Sequence, residues 1–186
     1  MRVTDRRFLR TEKVILAGGI KILCSQEREF LSVDYLCEEA DINKSTFYLH
    51  YRPLDQMVSA IEDEAVAFLS KALYGTSLKL SDPAFSTLLI DCVNNEKKLF
   101  LAAFNGGRTR FRIKLSKLFD PFFKPLSPLK RGHVTDVNLF VKSSLDDCIL
   151  SFLNSLVSDG CHFDKEIATK YLSSIINQDC FKALLK

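Results

Sequence analysis

The chain has 186 residues, a length that suits one compact domain or two small domains that share helices. Hydrophobic residues make up 47% of it and charged residues 26%, with seven glycines and five prolines, so the composition argues against disorder and fibrous repeats. The formal net charge is only +3, but residues 105–133 carry eight basic and one acidic side chain, against nine and eight in residues 1–52. The total charge therefore neither implies nor excludes a polyanionic partner.

Cysteine usage and hydropathy indicate a soluble, cytoplasmic protein. The six cysteines include no closely spaced pair and lie on apolar helical faces, which predicts reduced, buried thiols. An apolar run over residues 14–24 follows several arginines, but Lys21 interrupts it and Leu23 is too large for the position before a signal cleavage site. No stretch approaches the roughly 18 to 20 uncharged apolar residues of a membrane span, so no membrane partner is expected.

Apolar residues recur with the helical period along nearly the whole chain, so the predicted fold class is all-α. The first helix is expected to run from Thr4, whose hydroxyl can cap it, to about Ser25. It contains Gly18 and Gly19, each of which costs about 1 kcal/mol relative to alanine inside a helix. That cost predicts another helix that crosses close to the two glycines.

Two short helices come next in the chain. Ser32 can cap a helix over residues 33–39, Asp41 lies in the following turn, and Asn43 can cap a helix over residues 44–51. Capping and stop residues further along the chain, such as the stop residue Gly160, predict helices at about 53–73, 83–93, 95–104, 108–123, 135–159 and 164–177. A Pro-rich connection is expected at 121–128.

The two short helices, braced by the first helix, have the proportions of a helix-turn-helix unit. At 100° per residue, Phe47 and Tyr51 face inward, whereas Ser45 and Leu49 lie on the outermost line of the third helix. Hydroxyl, imidazole and lysine side chains on this outer surface suit the major groove of DNA. The alternative is an ordinary short helix pair, in which the tyrosines are core aromatics and the histidine is a surface residue.

Residues 12–57 resemble the DNA-binding domain of TetR-type (tetracycline-repressor-like) regulators without a gap, and the stretch NKSTFYLHY at 43–51 is the most specific part. The resemblance implies a three-helix DNA-binding domain over residues 1–53 and a helical ligand-binding and dimerisation domain over 54–186. Asp41 stands where the family has a turn glycine, and Leu54 where a phosphate-contacting lysine often stands. The implied DNA-contacting residues are Ser32, Val33, Asn43, Lys44, Ser45, Thr46, Tyr48, Leu49, His50, Tyr51 and Arg52.

A weaker resemblance over residues 83–176 implies a C-terminal domain that holds a dimer together and, in many family members, binds a small inducer. The helix at 135–159 carries apolar stripes on nearly opposite sides, so one stripe can face its own domain and the other a twofold partner. A helix fully buried in a monomer is the alternative. The predicted dimer interface comprises Leu139, Leu150, Leu153, Val157, Leu172 and Ile175.

The predicted function is therefore a homodimeric DNA-binding regulator, a repressor that a small-molecule ligand releases from a palindromic operator. The alternative is a protein-interaction adaptor of the same fold without specific DNA binding. No metal site, cofactor motif or nucleophile motif is recognised, so no cofactor and no enzymatic activity are predicted. The inducer-binding residues remain unassigned, and the basic residues of 105–133 suit a solvated face, an anionic inducer or an auxiliary DNA contact.

Overall fold

The structure is a computed structural model that describes residues 6–25, 28–123, 134–158 and 164–182. Within these ranges the chain is helical, as predicted, and none of the described helices is both long and apolar enough to cross a membrane. The α-helices are α1 (Arg6–Ser25), α2 (Val33–Glu39), α3 (Lys44–His50), α4 (Leu54–Tyr74), α5 (Pro83–Asn95), α6 (Lys97–Phe119), α7 (Val134–Val157), α8 (Lys165–Ile176) and α9 (Asp179–Lys182), with short 3-10 helices at Arg28–Phe30 and Asp120–Phe122.

The chain divides into two compact units. The first unit holds the described residues up to Ala65 together with Lys97–Phe111, and the second holds Val66–Glu96 and the described residues from Arg112 onward. The unit that contains α2 and α3 is therefore larger than the predicted segment 1–53, because it also includes the first half of α4 and most of α6.

The paired glycines of α1 allow two helices of the first unit to pack closely. A Cβ atom on Gly18 would lie 3.3 Å from the Ala40 side chain at the end of α2, and one on Gly19 would lie 2.7 Å from the sulfur of Met57 in α4. The predicted close crossing is confirmed, and it involves both α2 and α4. Since Met57 is fully buried, its sulfur has little room to move away.

Within the first unit, a short glycine-containing segment of α6 packs against α1 and α4. The side-chain amide of Asn105 donates a 2.8 Å hydrogen bond to the carbonyl of Leu23, near the end of α1. A Cβ atom on Gly106 would lie 2.7 Å from the side chain of Val58. The next residue, Gly107, has non-helical dihedral angles, so the two helices predicted at 95–104 and 108–123 form one helix with a kink between them.

The second unit is a helical bundle in which α5, α7 and α8 pack against one another. Asp164 caps α8 as predicted, since its carboxylate accepts hydrogen bonds from the backbone N–H groups of Glu166 and Ile167. The predicted cap Thr4 and stop Gly160 lie outside the described residues, as does most of the Pro-rich connection.

The burial of α7 and α8 corrects most of the predicted dimer interface. Leu139 is 58% exposed and Ile175 is partly exposed, so both can reach a partner. The other four residues are no more than 4% exposed, because α7 packs against both α5 and α8 and two apolar stripes can be covered within one chain. The residues that belong to the core instead of an interface are Leu150, Leu153, Val157 and Leu172.

The cysteines are less uniformly buried than predicted. Cys37 and Cys92 are buried and Cys24 is half-buried, in agreement with the apolar pattern around them. Cys148 and Cys180 are exposed, so the prediction of burial is wrong for these two. The helical period places a residue on a face, but it does not show whether another helix covers that face.

Candidate nucleic-acid interface

Local hydrogen bonds define both short helices of the first unit. The backbone N–H of Tyr35 donates to the Ser32 hydroxyl at 3.2 Å, and the backbone N–H of Thr46 donates to the Asn43 side-chain oxygen at 2.8 Å. Both predicted N-caps are therefore confirmed. Between the helices, Asp41 adopts the left-handed conformation with φ of 51°, which reverses the chain without a glycine.

Buried aromatic side chains hold the inner face of α3. Phe47 has no solvent exposure, and Tyr51 is only 4% exposed. The Tyr51 hydroxyl donates a hydrogen bond to Glu12 of α1 at 3.2 Å. Burial is the main cause that raises the pKa of Tyr51 well above its usual range, and the negative charge of Glu12 is the second cause. The inclusion of Tyr51 among the DNA-contacting residues is therefore wrong, because its side chain belongs to the core.

His50 is positioned by α1 at the end of α3. Its ring stacks on Phe8 with 3.9 Å between the ring centroids and 21° between the planes. Its Nδ1 atom is buried and has no hydrogen-bond partner among the described residues, and burial lowers the pKa of His50. The half-buried imidazole therefore favours its neutral form, and it is not a fully available contact on the outer surface.

The outer face of α3 comprises Lys44, Ser45, Thr46, Tyr48 and Leu49. Tyr48 is 50% exposed and Leu49 is 64% exposed, while Lys44 and Ser45 are also exposed and Thr46 is half-buried. The structure thus places the predicted outermost residues, Ser45 and Leu49, on the surface. Such a face offers hydroxyl, phenol, ammonium and apolar groups within two helical turns.

The polar groups of the outer face make defined contacts with their neighbours. The hydroxyls of Ser45 and Thr46 donate to the Asn43 side-chain oxygen at 2.6 and 2.8 Å. The Lys44 ammonium lies 2.6 Å from the Asp34 carboxylate of α2, and this hydrogen-bonded partner raises the pKa of Lys44. The pattern of residue types did not predict the Asp34 contact, because it depends on how α2 and α3 pack.

The remaining predicted contact residues flank α3. Ser32 is exposed and Val33 is half-buried at the start of α2, and Arg52 is exposed just after α3. Arg28 was not among the predicted contact residues, and its guanidinium lies 2.7 Å from Asp55 at the start of α4. This arginine pairs with the carboxylate next to the position where the family often has a lysine.

Two arginines of the basic segment have carboxylate partners. In the first unit, Arg110 Nε donates to both carboxylate oxygens of the fully buried Glu62, at 2.9 and 2.7 Å. In the second unit, Arg112 forms an ion pair with Asp147. Arg108 lines a pocket of about 330 Å³ together with Arg28 and Glu29. These contacts favour the interpretation that part of the basic charge balances acidic neighbours.

An all-helical chain whose first unit presents α2 and α3 in this arrangement belongs to the helix-turn-helix class of folds. A TetR transcriptional regulator from Streptococcus agalactiae 2603V has a similar structure over 95% of this chain and 98% of its own, with a TM-score of 0.68 and 18% sequence identity. A TetR-like transcriptional regulator from Rhodococcus sp. RHA1 is similar over 89% of this chain and 92% of its own, with a TM-score of 0.61 and 15% identity. No protein-family model and no curated protein sequence matches the chain. The chain has the fold of TetR-type transcriptional regulators, which confirms the predicted resemblance at the level of the fold.

Proposed function

We propose that this protein is a DNA-binding transcriptional regulator that acts in the cytoplasm. The observation that carries the proposal is the outer face of α3, where the exposed side chains of Lys44, Ser45, Tyr48 and Leu49 stand above an inner face that Phe47 fixes in the core. A short helix with a rigid base and a mixed polar and apolar outer face can enter the major groove and contact bases and phosphates.

The proposed regulator binds its operator as a homodimer. The seven residues of α3 can reach only a few base pairs, and two copies related by a twofold axis double the number of contacts. The corresponding operator is palindromic, with half-sites about one DNA turn apart or a multiple of it. The proposed mode of action is repression, which ends when a small molecule binds the C-terminal half and favours a half-site spacing that no longer fits.

Selection of bound sequences from random double-stranded DNA tests this proposal. The regulator predicts enrichment of a motif with twofold symmetry, and Tyr48→Ala is expected to weaken binding to that motif about tenfold, a loss of ~1.4 kcal/mol. Val14→Ala is the matched control, since Val14 is 45% exposed on α1 and lies outside α2 and α3. Folded protein that enriches no motif would instead support the adaptor without specific DNA binding.

A further inference from the structure

We infer that a pocket in the first unit binds a small zwitterion, a molecule with one carboxylate and one ammonium group such as a free amino acid. The pocket has a volume of about 330 Å³, at the small end of the range for ligand pockets. The described residues that line it come from the 3-10 helix after α1 and from the middle of α6: Arg28, Glu29, Phe104, Asn105 and Arg108. All five belong to the first unit, and none lies in α2 or α3.

The pocket places one cation and one anion near each other without joining them. The guanidinium of Arg28 lies 2.7 Å from the carboxylate of Asp55, so this cation already has an acidic partner. Glu29 and Arg108 are both exposed, and neither forms an ion pair with the other or with any further residue that the structure describes. A ligand that carries both a carboxylate and an ammonium group can pair with both side chains at once.

Two lining residues of α6 supply contact groups with fixed positions. Phe104 is only 4% exposed and packs edge-on against Phe111, so its ring is held in place. The amide nitrogen of the Asn105 side chain donates to the carbonyl of Leu23 at 2.8 Å, whereas the amide oxygen has no hydrogen-bond partner among the described residues. This oxygen can accept a hydrogen bond from an ammonium group, and the Phe104 ring can contact an apolar side chain of the ligand.

A ligand with a single charge matches the pocket less well than a zwitterion. A simple anion is attracted by Arg108 but repelled by the carboxylate of Glu29, and a simple cation meets the opposite arrangement. Since the charge of Arg28 is offset by Asp55, the two remaining charges sum to zero. A ligand with separated charges and no net charge is therefore complementary to the lining as a whole.

The first test measures amino-acid binding to the full chain by isothermal titration calorimetry. The probes are L-alanine, L-leucine and L-phenylalanine, which share the charged groups and differ in the size of the apolar side chain. At least one of them is expected to bind with a Kd below about 1 mM. If none of the three binds, the inference is overturned.

Analogues that lack one charged group test whether both charges are recognised. For L-leucine, 4-methylpentanoate lacks only the ammonium group and 3-methylbutylamine lacks only the carboxylate; propionate and ethylamine are the equivalents for L-alanine, and 3-phenylpropionate and 2-phenylethylamine for L-phenylalanine. Each analogue is expected to bind about fivefold more weakly than its amino acid, since it loses one charged contact with an exposed side chain. A carboxylate analogue that binds as tightly as its amino acid would indicate a general anion site and contradict the inference.

Two substitutions assign the contacts to the pocket. Arg108→Ser is expected to weaken amino-acid binding about fivefold without weakening the binding of the amine analogue, and Glu29→Gln is expected to do so without weakening the binding of the carboxylate analogue. Arg10→Ser and Glu38→Gln are the matched controls, because both residues are exposed in the first unit and lie outside the pocket. An amino acid that binds equally well to all four variants would have its site elsewhere, and the inference would fail.

The outcomes are independent of the proposed function. The titrations contain no DNA, so an amino-acid site in this pocket stands even if the protein selects no symmetric DNA motif. A protein that selects such a motif but binds none of the three amino acids retains the proposed function and loses only this inference.

Discussion

At the scale of single residues, Asp41 is the position where backbone conformation and residue type agree least. It is the only non-glycine residue with positive φ in the described part of the chain, and φ there is 51°. An L-residue loses about 1 kcal/mol in this conformation, although aspartate tolerates it better than most. Asp41→Gly is therefore expected to raise the free energy of unfolding by about 0.5 to 1 kcal/mol, as measured by urea denaturation.

Two further substitutions at this residue separate conformation from charge. Asp41→Ala is expected to lower the free energy of unfolding, since alanine adopts positive φ less readily than aspartate. Asp41→Asn removes the charge but keeps the tolerance for this conformation, so it is expected to leave stability nearly unchanged. Equal stabilisation by all three variants would show that charge, and not backbone conformation, is what limits the turn.

Single residues also show how far the sequence predicts the candidate site. Ser32 and Asn43 were predicted correctly as caps, because capping depends on a side chain and the backbone two or three residues away. The contact between Asp34 and Lys44 was not predicted, since it joins two helices whose packing the sequence pattern does not specify. Tyr51 was predicted to contact DNA because of its place in a family motif, although the helical period already placed its side chain on the inner face.

At the scale of helices, the ion pair between Glu62 and Arg110 joins α4 to α6 within the first unit. Glu62 has no solvent exposure, whereas the side chain of Arg110 is 38% exposed. Removing the guanidinium takes away the ion pair that Arg110 forms with this buried carboxylate, and such losses cost about 3 to 5 kcal/mol where both groups are buried. Because Arg110 is partly exposed, Arg110→Ala is expected to lower the free energy of unfolding by about 2 kcal/mol.

The ion pair of Arg112 with Asp147 in the second unit supplies the matched control. Both side chains are nearly half exposed, so Arg112→Ala is expected to cost less than about 1 kcal/mol. Adding Glu62→Gln to Arg110→Ala removes the buried charge and is expected to restore part of the lost stability. Similar losses for Arg110→Ala and Arg112→Ala would contradict the importance of burial at Glu62.

Helix boundaries were predicted more accurately than helix partners. The cap and stop residues placed α2 and α8 closely, and the break predicted between residues 104 and 108 coincides with the kink of α6. The two apolar stripes of α7 were also recognised, but their roles were not, because a periodic pattern does not identify the covering element. The packing of α5 and α8 against α7 accounts for the burial that the interface prediction missed.

At the scale of the whole molecule, the exposed apolar residues of α7 and α8 support a revised dimer interface. Phe140 is 72% exposed and Tyr171 is 65% exposed, and Leu139 and Ile167 are each at least half exposed. Solvent-exposed aromatic side chains of this size are typical of interfaces. We expect wild-type protein at micromolar concentration to have twice the 21.2 kDa mass of one chain in light scattering.

The double variant Phe140→Glu/Tyr171→Glu tests whether this dimer is the form that binds the operator. A dimer of this variant would have to bury two charged glutamates per chain in its interface. The variant is therefore expected to be monomeric and to bind the palindromic operator at least 100-fold more weakly. Its affinity for a single half-site is expected to stay the same, since neither residue lies in the first unit. Ile113→Glu is the control, because Ile113 is 52% exposed on α6 and outside the revised interface. A double variant that remains dimeric, or one that loses half-site binding as well, would contradict this assignment.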